Sequence, residues 1–161
     1  MWLSIFAATK PVEFVDTVFI VLRKQHLAFI HWYHHATVVV VCWYALGAHR
    51  GPANCIYYVT MNSVVHAIMY TYYGLKSIRV PVPRFINMVI TSMQIAQMIV
   101  GILINILAAY YTFFRPDMPC DDEPMQIYVA LGVYMSYFFL FCRFFYNAYL
   151  RKSVDTTTKT D

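Results

Sequence analysis

An all-α, polytopic helical membrane bundle of about five spans is predicted from three observations. Five apolar runs approach the ~20 residues that a helix needs to cross a bilayer. Hydrophobic residues fill 60% of the 161 positions and charged residues only 12%. The basic residues gather at the ends of the apolar runs. A soluble domain carries about 25% charged residues, and a chain this short has too little interior to hide so much apolar surface. Lipid is the alternative solvent. The aromatic content of 18%, with 14 Tyr and 12 Phe, suits interfacial belts and tightly packed spans.

The first span is placed near 2–22 and ends at Arg23-Lys24-Gln25. The second runs near 27–46 and stops in the stretch from Gly47 to Pro52. The third covers 55–75, and Lys76 to Arg84, with Pro81 and Pro83, separates it from the fourth at 85–110. Arg115 to Pro124, holding Asp117, Asp121, Asp122 and Glu123, leads into the fifth at 125–150. Residues 1–150 thus form one transmembrane domain, and 151–161 a Thr-rich polar tail expected to be disordered. The opening MWLSIFAATK lacks a basic n-region and a small-residue cleavage site, so it is not a typical signal peptide.

An odd number of spans puts the termini on opposite sides. One side receives Arg23, Lys24, Lys76, Arg79, Arg84, Arg151, Lys152 and Lys159; the other receives only Arg50 and Arg115 plus the four acids. The positive-inside rule places the first side, and the C-terminus, in the cytosol. The net charge of +4 with no basic stripe gives no nucleic-acid footprint. Cys42, Cys55, Cys120 and Cys142 show no CxxC or zinc spacing. Cys55 and Cys120 share the far side, where a disulfide and two free thiols are equally compatible with the sequence.

The polar residues inside the spans lie at one depth. His31, His34 and His35 in span two, His66 and Asn62 in span three, Asp16, Glu13 and Lys10 in span one, Thr91, Gln94 and Gln97 in span four, and Arg143 in span five all fall within a common slab. At 1.5 Å per residue it lies roughly 8–20 Å below the cytosolic surface. A charge facing lipid at a helix centre costs about 2.5–3.5 kcal/mol, so these groups are expected to turn inward onto a polar chamber open to the cytosol. Interhelical hydrogen bonding alone accounts for Thr91 or Asn147 taken singly.

In His31-Trp32-Tyr33-His34-His35 the imidazoles at i, i+3 and i+4 share one helix face. Asn62 and His66 share a face of the next span, continued by Met69 and Tyr73, and the two antiparallel spans bring His34/His35 and His66 to equal depth. Three readings compete: histidines merely hydrogen-bonded in a core, a metal site, and metal-free acid–base or nucleophilic chemistry. Membrane desaturases and hydroxylases use about eight histidines over several boxes. This chain has 6 His, of which His26 and His49 fall in loops, so a di-iron centre is under-supplied and a single zinc is the remaining metal reading. Metal-free chemistry is favoured, because a neutral imidazole can accept a proton or carry an acyl group.

These residues also carry a family resemblance. Lys10-x-x-Glu13-x-x-Asp16-Thr17, continued by Phe19 and Leu22-Arg23-Lys24, is similar to the KxxExxDT pattern of the ELO family of long-chain and very-long-chain fatty acid elongases. His31-x-x-His34-His35 resembles its histidine box, Asn62-x-x-x-His66-x-x-Met69-Tyr70-x-Tyr72-Tyr73 its third block, and Thr91-x-x-Gln94-x-x-Gln97 its fourth. The blocks occur in order over roughly residues 8–150. Trp32 within the box resembles the subgroup that elongates saturated and monounsaturated chains. The family resembles a seven-helix bundle whose first two spans have no counterpart here, so the chain is expected to be N-terminally incomplete.

The resemblance implies an acyltransferase of the 3-oxoacyl-CoA synthase type. It would condense a long-chain acyl-CoA with malonyl-CoA, release CO2 and CoA, and begin a cycle of fatty acid elongation in the endoplasmic reticulum membrane. No cofactor and no metal are implied; ketoacyl reductase, dehydratase and enoyl reductase are the implied partners, and a homo-oligomer is compatible. His34 and His66 are the candidate acyl acceptors or proton-transfer groups, with His31 and His35 orienting them. Asn62, Gln94 and Gln97 are candidate donors to oxyanions or thioester carbonyls, and Glu13 and Asp16 candidate tautomer-fixing carboxylates. Lys10 either serves the substrate or forms a structural pair with Glu13; Tyr72 and Tyr73 are either donors or packed rings. Lys24, Lys76, Arg79 and Arg84 ring the cytosolic mouth, as CoA-phosphate ligands or as topology signals. Tyr57, Tyr58, Leu107 and Tyr110 are candidates for the far end of an acyl tunnel. Two alternatives stand beside this: an inactive truncated subunit that binds lipid or a full-length elongase, and a metal-dependent desaturase or hydroxylase.

Overall fold

The computed structural model describes residues 2–24, 27–47, 55–115 and 123–151. They form helices α1 (Trp2–Val12), α2 (Phe14–Leu22), α3 (Phe29–Gly47), α4 (Cys55–Ser77), α5 (Arg84–Phe114) and α6 (Pro124–Phe145), and a π-helical turn (Tyr146–Arg151) that extends α6. There is no strand among the described residues. The chain is an all-α membrane bundle, with helix limits close to those predicted. His26, His49, Cys120, Asp117, Asp121, Asp122 and the tail from Lys152 lie outside the described residues.

One boundary differs. The expected first span is two helices, broken at Glu13. Pro11 sits inside the last turn of α1, where its ring nitrogen donates no hydrogen bond and its bulk crowds the preceding turn. The chain recovers through the Glu13 amide, which donates to the Thr9 carbonyl at 3.1 Å, and the Asp16 amide, which donates to the Glu13 carbonyl at 3.2 Å. The break places Glu13 at a joint rather than in a continuous helix wall.

Among the described residues, two helices, Arg84–Phe114 and Pro124–Arg151, are long and apolar enough by length and composition to cross a membrane, with mean hydropathy 1.8 and 1.6. The histidines of α3 and the polar residues of α4 dilute their hydropathy, and the Glu13 break divides the first run into two short pieces. The five-span count thus rests on the sequence pattern.

Helix contacts close a ring. α1 packs on α3 and α4, α3 on α6, α6 on α5, and α5 on α4, while α2 continues alongside α1 and α3. The buried side chains include Lys10, His35, Thr91, Gln97, Asn105 and Gln126, whereas Val40, Ile56, Phe85, Leu103 and Phe139 stand exposed on the outside. Large apolar side chains left on the outside suit a hydrocarbon solvent, and the buried polar groups are kept out of it.

The ends of α2 and α4 are turned by basic residues in the left-handed region, Lys24 at φ 52° and Arg79 at φ 64°. At Arg79 the Val80 amide donates to the Leu75 carbonyl and the Arg79 amide to the Lys76 carbonyl, both at 3.1 Å. This is the paired Schellman closure, with arginine where glycine is usual.

Candidate active site

The ring encloses a cavity of about 120 Å³ lined by all five of its helices. Lys10 of α1, His34 of α3, Asn62 of α4, Gln97 of α5 and Tyr137 of α6 border its polar end. From there it runs between apolar side chains such as Val38, Val59 and Val133 to Ala45, Cys55 and Gln126, near the opposite ends of their helices. Of the polar layer expected from depth, Lys10, His34, Asn62 and Gln97 line this cavity.

Lys10, only 2% exposed, organises that wall. Its Nζ donates to Glu13 Oε1 at 2.6 Å and to Asn62 Oδ1 at 2.7 Å, and lies 4.2 Å from the centre of the Phe6 ring. A buried ammonium needs such partners, because its desolvation is otherwise uncompensated. Glu13 in turn faces two histidines: Oε2 is 3.9 Å from His35 Nδ1 and Oε1 is 3.8 Å from His66 Nδ1. The expected approach of His35 and His66 at equal depth runs through a third helix. α1 stands between α3 and α4, and their histidines come together across Glu13.

Each histidine has its own surroundings. His31 Nε2 is 3.1 Å from Thr17 Oγ1, and its ring centroid is 4.5 Å from that of His35. His35 is buried. His34 packs against Tyr137 with centroids 4.7 Å apart. The Tyr137 hydroxyl lies 2.6 Å from Thr37 Oγ1 and donates at 3.4 Å to the His34 carbonyl. His66 rests on Tyr70, centroids 5.7 Å apart, and the Tyr70 hydroxyl donates to Asp16 Oδ2 at 2.6 Å. Nδ1 of His34, His35 and His66, Glu13 Oε2 and Gln97 Oε1 are buried without a hydrogen-bond partner. A cluster of such atoms is costly as a structural device and suits a site that receives polar groups.

Several sequence candidates fall elsewhere. Gln94 turns to α4, where its Nε2 donates to Met69 Sδ at 3.5 Å. Tyr72 is buried away from the histidines, along a lateral groove with Ile86 and Ile90, beneath the Lys76 ammonium at 5.4 Å. Tyr73 is half exposed, its ring tilted against that of Tyr72. Three positions before Tyr73, Tyr70 supplies the hydroxyl that reaches Asp16. Arg84 is engaged by the π-helical turn: its Nη2 donates to the Ala148 carbonyl at 3.1 Å and its guanidinium covers Tyr149 at 5.8 Å. Lys24, Lys76 and Arg79 are exposed at helix ends, and Arg143 faces outward. Of the four far-end candidates Tyr58 lines the cavity, whereas Tyr57, Leu107 and Tyr110 face outward. Among the described residues, no group of three or more His, Cys, Asp or Glu side chains is placed to hold a metal ion.

The pattern of the ELO family, described as GNS1/SUR4, matches residues 1–157. The chain belongs to the ELO family. It is 45% identical over 149 residues to very long chain fatty acid elongase 6 of Drosophila melanogaster, covering 92% of this chain and 46% of the fly protein. It is 43% identical over 159 residues to very long chain fatty acid elongase 3 of Homo sapiens, covering 99% and 57%, and 40% identical over 152 residues to putative fatty acid elongase 3 of Caenorhabditis elegans, covering 94% and 46%. The chain spans about half the length of the curated relatives it matches. No solved structure matches it.

Within this ELO chain the sequence reading overlooked Tyr70, Thr37, Tyr137 and Gln126. Tyr70 stands in the third block but reads as one ring among several. Tyr137 and Gln126 belong to α6, where Arg143 was the charged residue at the expected depth, and the direction of a tyrosine in an aromatic-rich helix has no signature in sequence.

Proposed function

We propose that this chain forms the catalytic portion of a fatty acid elongase, condensing a long-chain acyl-CoA with malonyl-CoA to give CO2, CoA and a 3-oxoacyl-CoA longer by two carbons. The observation that carries this reading is the cavity itself, with imidazole, ammonium and amide groups at one end and an apolar slot beyond. A thioester held at the polar end would direct its hydrocarbon tail into the slot.

In this reading the acyl thioester carbonyl meets an imidazole nitrogen, of His34 at the cavity wall or of His66 beside Glu13. The nitrogen adds to the carbonyl carbon, the carbon–sulfur bond breaks, and CoA leaves as a thiolate that takes up a proton. Malonyl-CoA then loses CO2, and the electron pair of that bond becomes an enolate. The enolate carbon attacks the acyl group, and the bond to imidazole breaks to restore the free base. In this reading Asn62 and Gln97, which border the cavity, donate to the developing oxyanions, and Glu13, held by Lys10 at 2.6 Å, faces His35 and His66 as a nearby negative charge. Asp16 acts through Tyr70, one step removed.

We place the chain in the endoplasmic reticulum membrane with its C-terminus in the cytosol. Lys24, Lys76 and Arg79 at the exposed helix ends would meet the CoA phosphates, with Arg84 reserved for the π-helical turn. The reductases and dehydratase of the elongation cycle would take the product onward. Because the chain covers about half of its relatives, a lipid-binding or elongase-binding subunit without turnover is the second reading. Microsomes containing only this chain, supplied with labelled malonyl-CoA and palmitoyl-CoA, distinguish them. Labelled 3-oxoacyl-CoA from the chain alone supports the elongase; product formed only on adding a full-length relative supports the subunit.

A further inference from the structure

Gly101 and Tyr134 meet where α5 packs on α6, the most extensive helix contact in the bundle. A Cβ added to Gly101 would fall under 3.0 Å from the Cε1, Cδ1 and Cζ atoms of the Tyr134 ring. The ring therefore lies directly on the α5 backbone, in a space that only glycine leaves open. Tyr134 also lines the cavity, and its ring centroid is 5.2 Å from that of Tyr58, another lining residue. The backbone beneath the ring has little freedom to yield. Asn105, 1% exposed, donates to the Gly101 carbonyl at 2.8 Å.

The geometry points to Gly101 and Tyr134 as a pair that sets how long an acyl chain the slot accepts, with Gly101 letting the ring recede from the chain's path. This rests on the elongase reading for the identity of the occupant. A methyl group on Gly101 cannot be absorbed by the α5–α6 interface, so it displaces the ring toward Tyr58. That narrows the slot between its polar end at His34 and its far end at Cys55 and Gln126. Removal of the ring has the opposite effect. The plainer role, a small residue that only lets two membrane helices approach, predicts a loss independent of chain length.

The test uses Gly101→Ala, Tyr134→Ala and the double variant in microsomes, with saturated acyl-CoAs of graded length and labelled malonyl-CoA. In parallel, the same acyl-CoAs displace a fluorescent fatty acid from the protein in phosphatidylcholine nanodiscs, without malonyl-CoA. Gly101→Ala is expected to lower turnover of the longest accepted substrate about tenfold, as overpacking of a filled contact does, while shorter substrates keep parental turnover. Tyr134→Ala is expected to extend the range to longer chains, and the double variant to regain the substrate lost in Gly101→Ala. Should Gly101→Ala fail to fold, the extension in Tyr134→Ala decides alone. Length profiles that superimpose on the parent's, or a loss equal at every length, overturn the inference while parental condensation leaves the elongase reading standing. If no protein condenses but displacement shifts in the stated directions, the elongase reading falls and the slot assignment stands.

Discussion

Lys10 Nζ and Asn62 Oδ1 lie 2.7 Å apart and join α1 to α4 across the polar end of the cavity. The same ammonium holds Glu13 at 2.6 Å, so one buried cation ties together the residues that face His35 and His66. Lys10 is thus a clamp between Glu13 and Asn62 that also borders the cavity.

The clamp predicts an order of damage. Lys10→Met leaves a nearly buried carboxylate without its cation and is expected to cost about 3–5 kcal/mol, whereas removal of both charges in Lys10→Met/Glu13→Gln costs less than Lys10→Met alone. Asn62→Leu, which removes one acceptor, is expected to cost about 1–3 kcal/mol. Thermal unfolding of the detergent-solubilised variants reads this order. A double variant less stable than Lys10→Met would refute it.

A second prediction concerns α6. Tyr137→Phe keeps the ring that packs on His34 but loses the hydroxyl 2.6 Å from Thr37. Tyr137→Phe and Thr37→Val should each lower stability by about 1 kcal/mol. Because they break one shared bond, the double variant should lose little more than either single. Additive losses would show that the two hydroxyls act independently.

The basic residues at the mouth should separate into two groups. Arg84→Ala frees the Ala148 carbonyl and uncovers Tyr149, so it should loosen the C-terminal turn and speed amide exchange there while the KM for acyl-CoA stays near parental. Lys24→Ala combined with Arg79→Ala should raise that KM, with a difference that shrinks as salt screens the phosphates. A raised KM in Arg84→Ala with unchanged exchange would move Arg84 to the substrate.

Much of this site was legible before the structure, and the reasons are specific. The i, i+4 spacing that put His31 and His35 on one face is realised as two rings 4.5 Å apart. The i, i+3 spacing of Lys10 and Glu13 is realised as a 2.6 Å contact. Depth below the surface is read directly from helix rise. Angular position is harder, because a helix in lipid is apolar on both its buried and its outer faces and shows little amphipathic period. Hence Tyr70 rather than Tyr72 or Tyr73 bonds Asp16, Arg143 faces outward, and α1 stands between α3 and α4. The break at Glu13 follows Pro11, a residue type that membrane helices commonly tolerate without breaking, so the sequence alone does not fix it.

On the proposed elongase reading, imidazole at the polar end of the cavity performs the condensation. The most direct measurement is transfer of label from malonyl-CoA into 3-oxoacyl-CoA by microsomes holding equal, fully inserted amounts of the parent chain and His34→Ala. The account predicts product from the parent and a loss of at least about a thousandfold in the variant, as befits removal of a nucleophile or base. Near-parental turnover in His34→Ala would contradict it.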